Sequence, residues 1–388
     1  MSDSKRTNPD NKQRPLKVCL ASRAPFIGGA EVAAERLAIG LRDAGHEVFL
    51  LLAQSGEVQE RFERAGLRCL VTPLFLDDKR YFLRHFFSRR TLRGILRKEN
   101  PDVIHSNDLP THQMVSGVAG RLGIPRICHH RFGYNGAAID WFNKYGAERH
   151  VFVSQALMAE LCAGSQRLHE SCRAVVYDGL PCPPLSSIES KAHARATLGL
   201  DASRKVVVFA GQIIERKGVA DLLRSWAALG PELAAQNELI IVGDDLAGKG
   251  AYRLEMERLA QGLGCGARFV GFQKNVHEWL SAADVAVVPS HVEPLGNATL
   301  EAMAHGLPVI GTSVGGIPEM VVHERTGLLV PPKTPAALAV ALTRFLTDER
   351  LRLQCGANGR LRCEERFSLM AHTLAALEEY AKVVGQSQ

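Results

Sequence analysis

Short β-branched apolar runs alternate with stretches of helical period along almost the whole chain, and this alternation is its strongest constraint on fold. The runs readable as strands are KVCLAS from Lys17, HEVFLLL from His46, VIHSN from Val103, PRICHH from Pro125, HVFVS from His150 and AVVY from Ala174. After a gap come KVVVFAG from Lys205, ELIIVGD from Glu238, RFVGF from Arg268, VAVVPS from Val285 and LPVIGT from Leu307. Between them lie segments such as AEVAAERLAIGLRDAG and GVADLLRSWAALG, whose apolar residues recur at helical spacing. Strand–helix alternation of this kind predicts parallel sheets covered by helices on both faces. A chain of 388 residues is also too long for one ordinary core. The gap holds LPCPPLSSIES, Leu180–Ser190, whose Pro and Ser content marks a linker. The expectation is an α/β chain with two doubly wound domains facing a cleft, covering 16–180 and 204–363 and joined by a linker at 181–203. Residues 1–15 are polar and are expected to be a disordered tail. Ligands of such sheets bind beyond the carboxyl ends of the strands.

Several function classes are disfavoured at this level. No apolar run reaches the roughly 20 residues of a membrane span, and the N-terminus lacks the apolar core of a signal peptide. The nine cysteines are scattered singly without a C-x-x-C pair, which suggests neither a disulfide framework nor a zinc knuckle. A cytoplasmic setting is expected. A net charge of +6 permits nucleotide phosphates or anionic lipid as partners and does not call for nucleic acid.

The stretch EPLGNATLEAMAHGLPVIGTSVGGIPE, Glu293–Glu319, follows one of these strands. Its turn leads into a short helix closed by Gly306. A helix start offers unpaired N–H groups and partial positive charge, and Gly296 lets a ligand approach the backbone. Glu301, one turn in, could accept hydrogen bonds from vicinal hydroxyls; alternatively it only complements the helix dipole and Glu293 is a surface acid. In GQIIERKG, Gly211–Gly218, Arg216 and Lys217 precede a helix and could neutralise a diphosphate, or form a solvated turn. Gly28 and Gly29 make a glycine turn after the first strand without the dinucleotide fingerprint. ICHHRFG places His129, His130 and Arg131 at a strand end, where they are either structural or substrate-facing. GDDLAGKG, Gly243–Gly250, lacks the Ser or Thr that a P-loop needs for magnesium. In the segment 79–98, basic residues interleave with Tyr81, Phe82, Phe86 and Phe87 and no acid intervenes. Either the aromatics are core, or the segment makes peripheral contact with anionic membrane, at its inner face.

EPLGNATLEAMAHGLPVI resembles the E-P-x-G…L-E-A-M-A-x-G-x-P-V-I signature of family-4 retaining glycosyltransferases, which have the GT-B fold. The likeness includes GGAEVAAERLAIGLRDAGHEV, PDVIHSND, FAGQIIERKG, LIIVGDD and GGIPEMVVHERTGLLVPP, and so covers nearly the whole chain from about Lys17. The resemblance implies two Rossmann-like domains, the N-terminal one binding acceptor and the C-terminal one a nucleotide-sugar donor, with a last helix at about 364–385 returning to the first. The acceptor would be a carbohydrate or lipid-linked molecule. By the same resemblance Glu301 holds the nucleotide ribose, while Leu295, Gly296 and Asn297 offer N–H groups to the diphosphate. Glu293 touches the donor sugar, Lys217 neutralises the leaving diphosphate with Arg216 beside it, and Gly29 faces that phosphate. His129 matches the strand-end histidine near the sugar, with the register against His130 open by one residue. His105, His130 and Arg131 are acceptor-side candidates. No metal and no other cofactor is expected. Two positions depart from the family: Gln212 stands where arginine is common, and Asn107 where a second histidine is. An epimerase or phosphorylase on the same fold, or a silent sugar-nucleotide-binding subunit, are the rival expectations.

Overall fold

The structure, a computed structural model, describes residues 14–77, 82–245 and 248–385. Most of the expected N-terminal tail, residues 79–81 of the basic segment, and Leu246 and Ala247 of the GDDLAGKG loop lie outside these.

Among the described residues thirteen strands are present: β1 (Lys17–Ser22), β2 (Glu47–Leu52), β3 (Arg68–Val71), β4 (Val103–Ser106), β5 (Arg126–His130), β6 (Arg149–Phe152), β7 (Arg173–Val175), β8 (Lys205–Ala210), β9 (Asn237–Val242), β10 (Arg268–Gly271), β11 (Val285–Val288), β12 (Val309–Thr312) and β13 (Gly327–Val330). They form a seven-stranded sheet, order β3-β2-β1-β4-β5-β6-β7, and a six-stranded sheet, order β10-β9-β8-β11-β12-β13. Every pairing in the second sheet is parallel, as are β3–β2, β2–β1, β1–β4, β4–β5 and β6–β7 in the first. The two-sheet α/β expectation therefore holds, with β3 and β13 as strands that sequence pattern did not yield. Both lie at sheet edges, and β3 has no buried residue.

Central strands are apolar on both faces because helices cover both. β8 and β11 are each buried along nearly their whole length. Phe209, Leu223, Trp226, Ile241, Val287 and Phe345 belong to one core, and Cys19, Phe49, Leu51, Leu92, Ile104 and Val115 to another. By contacts the chain divides into two compact units, the described parts of Met1–His129, Trp141–Arg149 and Glu378–Gln388, and the described parts of His130–Asp140 and His150–Leu377. All nine cysteines are free. No helix among the described residues is long and apolar enough to cross a membrane.

Each sheet reverses its winding once: between β1 and β4 in the first, and between β8 and β11 in the second. Such switch points leave a crevice at the carboxyl ends of the two strands, because their following loops diverge to opposite faces.

Candidate functional site

In the second unit, the two switch-point strands are followed by the two motifs that sequence singled out. β8 leads through Gln212 into the single turn Glu215–Lys217, and β11 leads through Ser290 to Glu293. The loops are tied together: the His291 N–H donates to the Arg216 carbonyl at 2.7 Å, and the His291 ring meets the Asp221 carboxylate at 2.7 Å. This fixes Lys217 so that its Nζ donates to Glu293 Oε2, to which Ser290 Oγ also donates at 3.2 Å. Both side chains are mostly shielded, 16% and 9% exposed, so Glu293 is not a surface acid. An ion pair there is held by geometry; losing either partner strands a charge in a poorly solvated place. Arg216 and Gln212 are exposed at the same turn.

Pro294 and buried Leu295 then lead to Gly296, whose φ of +104° turns the chain into the helix Asn297–Ala304. A side chain would make that left-handed turn strained. The Gly315–Gly316 turn after β12 packs onto the same loop. The Gly316 N–H donates to the Glu293 carbonyl at 3.2 Å, and a Cβ on Gly315 would come within 1.6 Å of that oxygen. No residue but glycine fits there, which explains the second glycine pair. The helix start is thus presented beside the Lys217–Glu293 pair, with half-buried Glu301 one turn along.

Two further side chains, Asp178 and Ser154, hold this loop, and a third, Glu319, ties the segment after its glycine turn to the helix Gln155–Gly164; sequence reasoning missed all three. Asp178, just after β7, accepts from Arg131 at 2.6 Å and from the Asn297 amide at 3.4 Å. Burial alone would raise the Asp178 pKa. The charges of Arg131 and His372 and the hydrogen bonds from Arg131 and Asn297 outweigh it and hold the carboxyl below its usual range. Arg131, expected on the acceptor side, is therefore linked through Asp178 to the turn that carries Asn297. Ser154 Oγ caps the helix Gln155–Gly164 by accepting from the Leu157 N–H and donates to the Pro294 carbonyl at 2.6 Å. Glu319 of GGIPE accepts from the Gln155 and Ala156 N–H groups at 2.9 and 2.8 Å and from the Tyr177 hydroxyl at 2.8 Å. Burial, and then that carboxylate, push the Tyr177 phenol up to about 12. The available signals were small: a Ser before a helical stretch and single acids after strand ends.

In the first unit, Gly29 opens the helix Gly29–Asp43, and the Gly28 N–H donates to Glu31 at 3.2 Å. Asn107, which replaces the family's second histidine, donates to the Ala30 carbonyl at 3.1 Å and to Glu31 at 3.4 Å, so it joins the end of β4 to that helix start. His105 Nε2 lies 3.1 Å from His129 Nδ1, and His105 Nδ1 lies 2.7 Å from the hydroxyl of Tyr380 on the helix Leu369–Val384. His130 belongs to the second unit, where its Nε2 lies 3.0 Å from His150 Nδ1 and its ring stacks on Phe152. Neighbouring strand residues point to opposite faces, so the paired histidines enter different clusters. The His130–His150 nitrogens lie at hydrogen-bond distance, and with Cys128 they form a buried group whose possible ligand atoms lie within 4.8 Å of one another.

A parallel α/β chain whose second sheet carries a glycine turn, a helix start and a lysine at its switch point has the architecture of a GT-B glycosyltransferase. Sequence models agree. The one described as Glycosyltransferase Family 4 matches residues 27–179, and the one described as Glycosyl transferases group 1 matches 190–362. The chain belongs to the family-4 glycosyltransferases. It is 27% identical over 369 residues to an uncharacterized glycosyltransferase of Methanocaldococcus jannaschii, covering 88% of this chain and 91% of that protein. It is 38% identical over 192 residues to the D-inositol 3-phosphate glycosyltransferase of Streptomyces avermitilis, a match spanning 47% of this chain and 41% of that one. The Anabaena protein HepE in complex with UDP shares the fold, with a TM-score of 0.84 at 21% identity over 95% of this chain and 100% of its own; it also has a structure with UDP-glucose.

Proposed function

We propose that the protein moves a sugar from a nucleotide-sugar donor to an acceptor hydroxyl with retention of anomeric configuration and without a metal. The observation that carries this reading is the Lys217–Glu293 pair at the switch point, beside the start of the helix Asn297–Ala304. In the donor complex, the N–H groups of Leu295, Gly296 and Asn297 and the Lys217 ammonium meet the diphosphate. Glu301 accepts from the ribose hydroxyls. Glu293, released from Lys217 as the ammonium turns to the phosphate, accepts from the donor sugar. The binding of UDP and UDP-glucose by the structurally similar HepE supports such a donor.

The proposed chemistry is front-face displacement. The acceptor oxygen forms its bond to the anomeric carbon on the side where the bond to the diphosphate oxygen breaks, and a phosphate oxygen of the leaving group takes the acceptor proton. The protein supplies position and charge stabilisation. Lys217, Arg216 and the helix start do so because charge builds on the diphosphate as the bond opens. The acceptor belongs to a cell-surface polysaccharide, a glycolipid or a small glycosylated metabolite. Peripheral contact with anionic membrane is supported by the helix Phe82–Glu99, on which Phe86 and Phe87 are exposed among arginines.

The test is a panel of sugar nucleotides scored by thermal stabilisation, since a donor binding only the folded state raises the melting temperature. The stabilising donor is then given acceptors, and the product anomer is read by NMR. A retained anomer is expected. An inverted product, or donor binding with no turnover on any acceptor, would overturn the reading.

A further inference from the structure

Cys182 and Cys363 are 181 residues apart in sequence, yet their sulfurs lie 3.9 Å apart. Cys182 stands in the linker between Pro181 and Pro183 and is half-buried. Cys363 stands on the helix Glu349–Arg366 and is wholly buried. Both belong to the second unit. The backbone on either side of Cys182 is fastened to the surroundings of Cys363. The Leu180 N–H donates to the Phe367 carbonyl, and the Leu369 N–H to the Leu180 carbonyl, each at 3.1 Å. A Cβ on Gly179 would come within 2.5 Å of the Ser368 carbonyl, so the chain runs close against the end of that helix. On the far side of Cys182, Arg360, one helical turn before Cys363, donates to the Pro183 carbonyl at 2.7 Å. The flanking prolines fix their own φ and stiffen the segment between these anchors. The two thiols are therefore held side by side by contacts that do not involve sulfur.

We infer that Cys182 and Cys363 are a redox-sensitive pair that hydrogen peroxide converts to a disulfide, clamping the linker segment to the helix Glu349–Arg366. Cys182 is the partly exposed member, so the oxidant meets it first. Cys363 is held back: burial pushes its thiol well above the ordinary pKa, and the thiol donates to the Leu300 carbonyl at 3.8 Å. The Cys182 thiolate attacks one peroxide oxygen; an S–O bond forms, the O–O bond breaks and hydroxide leaves. The Cys363 sulfur then attacks the sulfenic sulfur of Cys182. An S–S bond forms, the S–O bond breaks, and the departing hydroxide takes the Cys363 proton as water. The Arg360 charge favours the thiolate of Cys363 and so eases this second attack. Two thiols and one peroxide give one disulfide and two waters; the sulfurs lose two electrons and the peroxide gains them. Bonded sulfurs lie about 2.0 Å apart, so the gap to close is roughly 2 Å, within the arc a cysteine sulfur sweeps about its Cα–Cβ bond. Because Cys182 is partly exposed, a small dithiol reaches the bond and reverses it.

The test treats the full reduced chain with a small excess of hydrogen peroxide, blocks the remaining thiols with N-ethylmaleimide under denaturing conditions, and maps the unreduced peptides by mass spectrometry. The expected first product is the Cys182–Cys363 cross-linked peptide, lighter by two hydrogens than its two thiol peptides together and absent after dithiothreitol. In Cys363→Ser and Cys363→Ala the second step is lost, so dimedone should trap a sulfenic acid on Cys182. In wild type that adduct should be lost to the disulfide. Cys182→Ser should leave Cys363 a thiol under the same treatment. The oxidised wild type should melt above the reduced one, because the cross-link closes a long loop in the unfolded chain, and dithiothreitol should abolish the difference. The wild-type map needs no variant, so a Cys363 substitution that fails to fold leaves the test intact. A cross-link from either residue to a different cysteine, a sulfenic acid that persists on Cys182 in wild type, or both thiols still blocked by N-ethylmaleimide after other cysteines have oxidised, overturns the inference. An oxidised protein that melts no higher than the reduced one overturns the clamp.

Discussion

Arg131 and Asp178 form an ion pair at 2.6 Å in which both side chains are no more than 5% exposed, and the second oxygen of Asp178 takes the amide of Asn297. The residue that opens the helix Asn297–Ala304 is thus tied to a buried charge pair.

Breaking that pair should be expensive. Asp178→Ala removes the carboxylate that the buried guanidinium of Arg131 donates to, which lowers unfolding free energy by about 3–5 kcal/mol. Urea denaturation reads this directly. The pKa of Asp178 is depressed in the fold, so the stability it contributes is present above its ordinary value of 3.8 and is lost as pH falls through the lower folded value. The acid limb of the wild-type stability curve should therefore flatten in the variant. A loss below about 1 kcal/mol would show that water screens the pair.

Glu301→Ala should weaken binding of the stabilising donor by about 10- to 100-fold, the range for losing a charge-assisted hydrogen bond. Isothermal titration measures it. Unchanged affinity removes Glu301 from the ribose site. Its place one turn into the helix Asn297–Ala304 makes the substitution mild for the fold.

If Lys217 and the helix start meet the diphosphate charge as proposed, glycosyl transfer should survive EDTA. The measurement is initial rate with and without chelator, followed by magnesium or manganese. Activity that dies in EDTA and returns with either ion would overturn the metal-free mechanism.

The fold and one half of the site were legible because they depend on local pattern. Strands such as KVVVFAG and VAVVPS are buried on both faces, so they read as continuous apolar runs. GQIIERKG and EPLGN stand out because each follows such a run. β3, RCLV, is partly exposed, and β13, GLLV, opens on a glycine and lacks the β-branched run of strands such as β11, so neither makes a clear run. Asp178, Ser154 and Glu319 were not legible for another reason. Each acts on a partner more than a hundred residues away, or, for Asp178, also on Arg131 and Asn297 from both sides in sequence. Tyr380 is the extreme case. It looks like one core aromatic of an amphipathic helix until the chain is folded and its hydroxyl meets His105. Sequence period reports burial; it does not report which polar atom a buried ring will find.

The helix Phe82–Glu99 tests peripheral contact. Arg89 packs over the Tyr145 ring, with 5.5 Å to its centroid, so it is a poor reporter of lipid binding. Arg90, Arg93 and Arg97 are exposed. Changing these three to Gln should weaken sedimentation with phosphatidylserine vesicles about 100-fold, at about 1 kcal/mol per charge near the surface. Equal sedimentation of variant and wild type would sink the membrane reading.

The last prediction concerns which cations serve the diphosphate. Lys217 is held by Glu293 in the free protein, and Arg216 is exposed beside it, where Gln212 replaces an arginine common in the family. The diphosphate gains charge as the glycosidic bond breaks, so a cation there is worth more in the transition state than in the ground state. Lys217→Ala should lower kcat by about 10²–10³, as removal of a positioned charge stabiliser does. That variant also leaves Glu293 without its cation, so Lys217→Met combined with Glu293→Gln reads the stability effect alone: stability recovers, and kcat stays low because both groups serve the donor in the proposed reading. Arg216→Ala should cost about tenfold in kcat if Arg216 has taken over from the missing arginine. Gln212→Arg should then add little to wild type and restore part of the loss in Arg216→Ala. Steady-state kinetics on the single and double variants decide the matter. Near-normal kcat for Lys217→Ala would mean that the diphosphate does not sit at the β8–β11 switch point, and the donor site would have to be sought elsewhere.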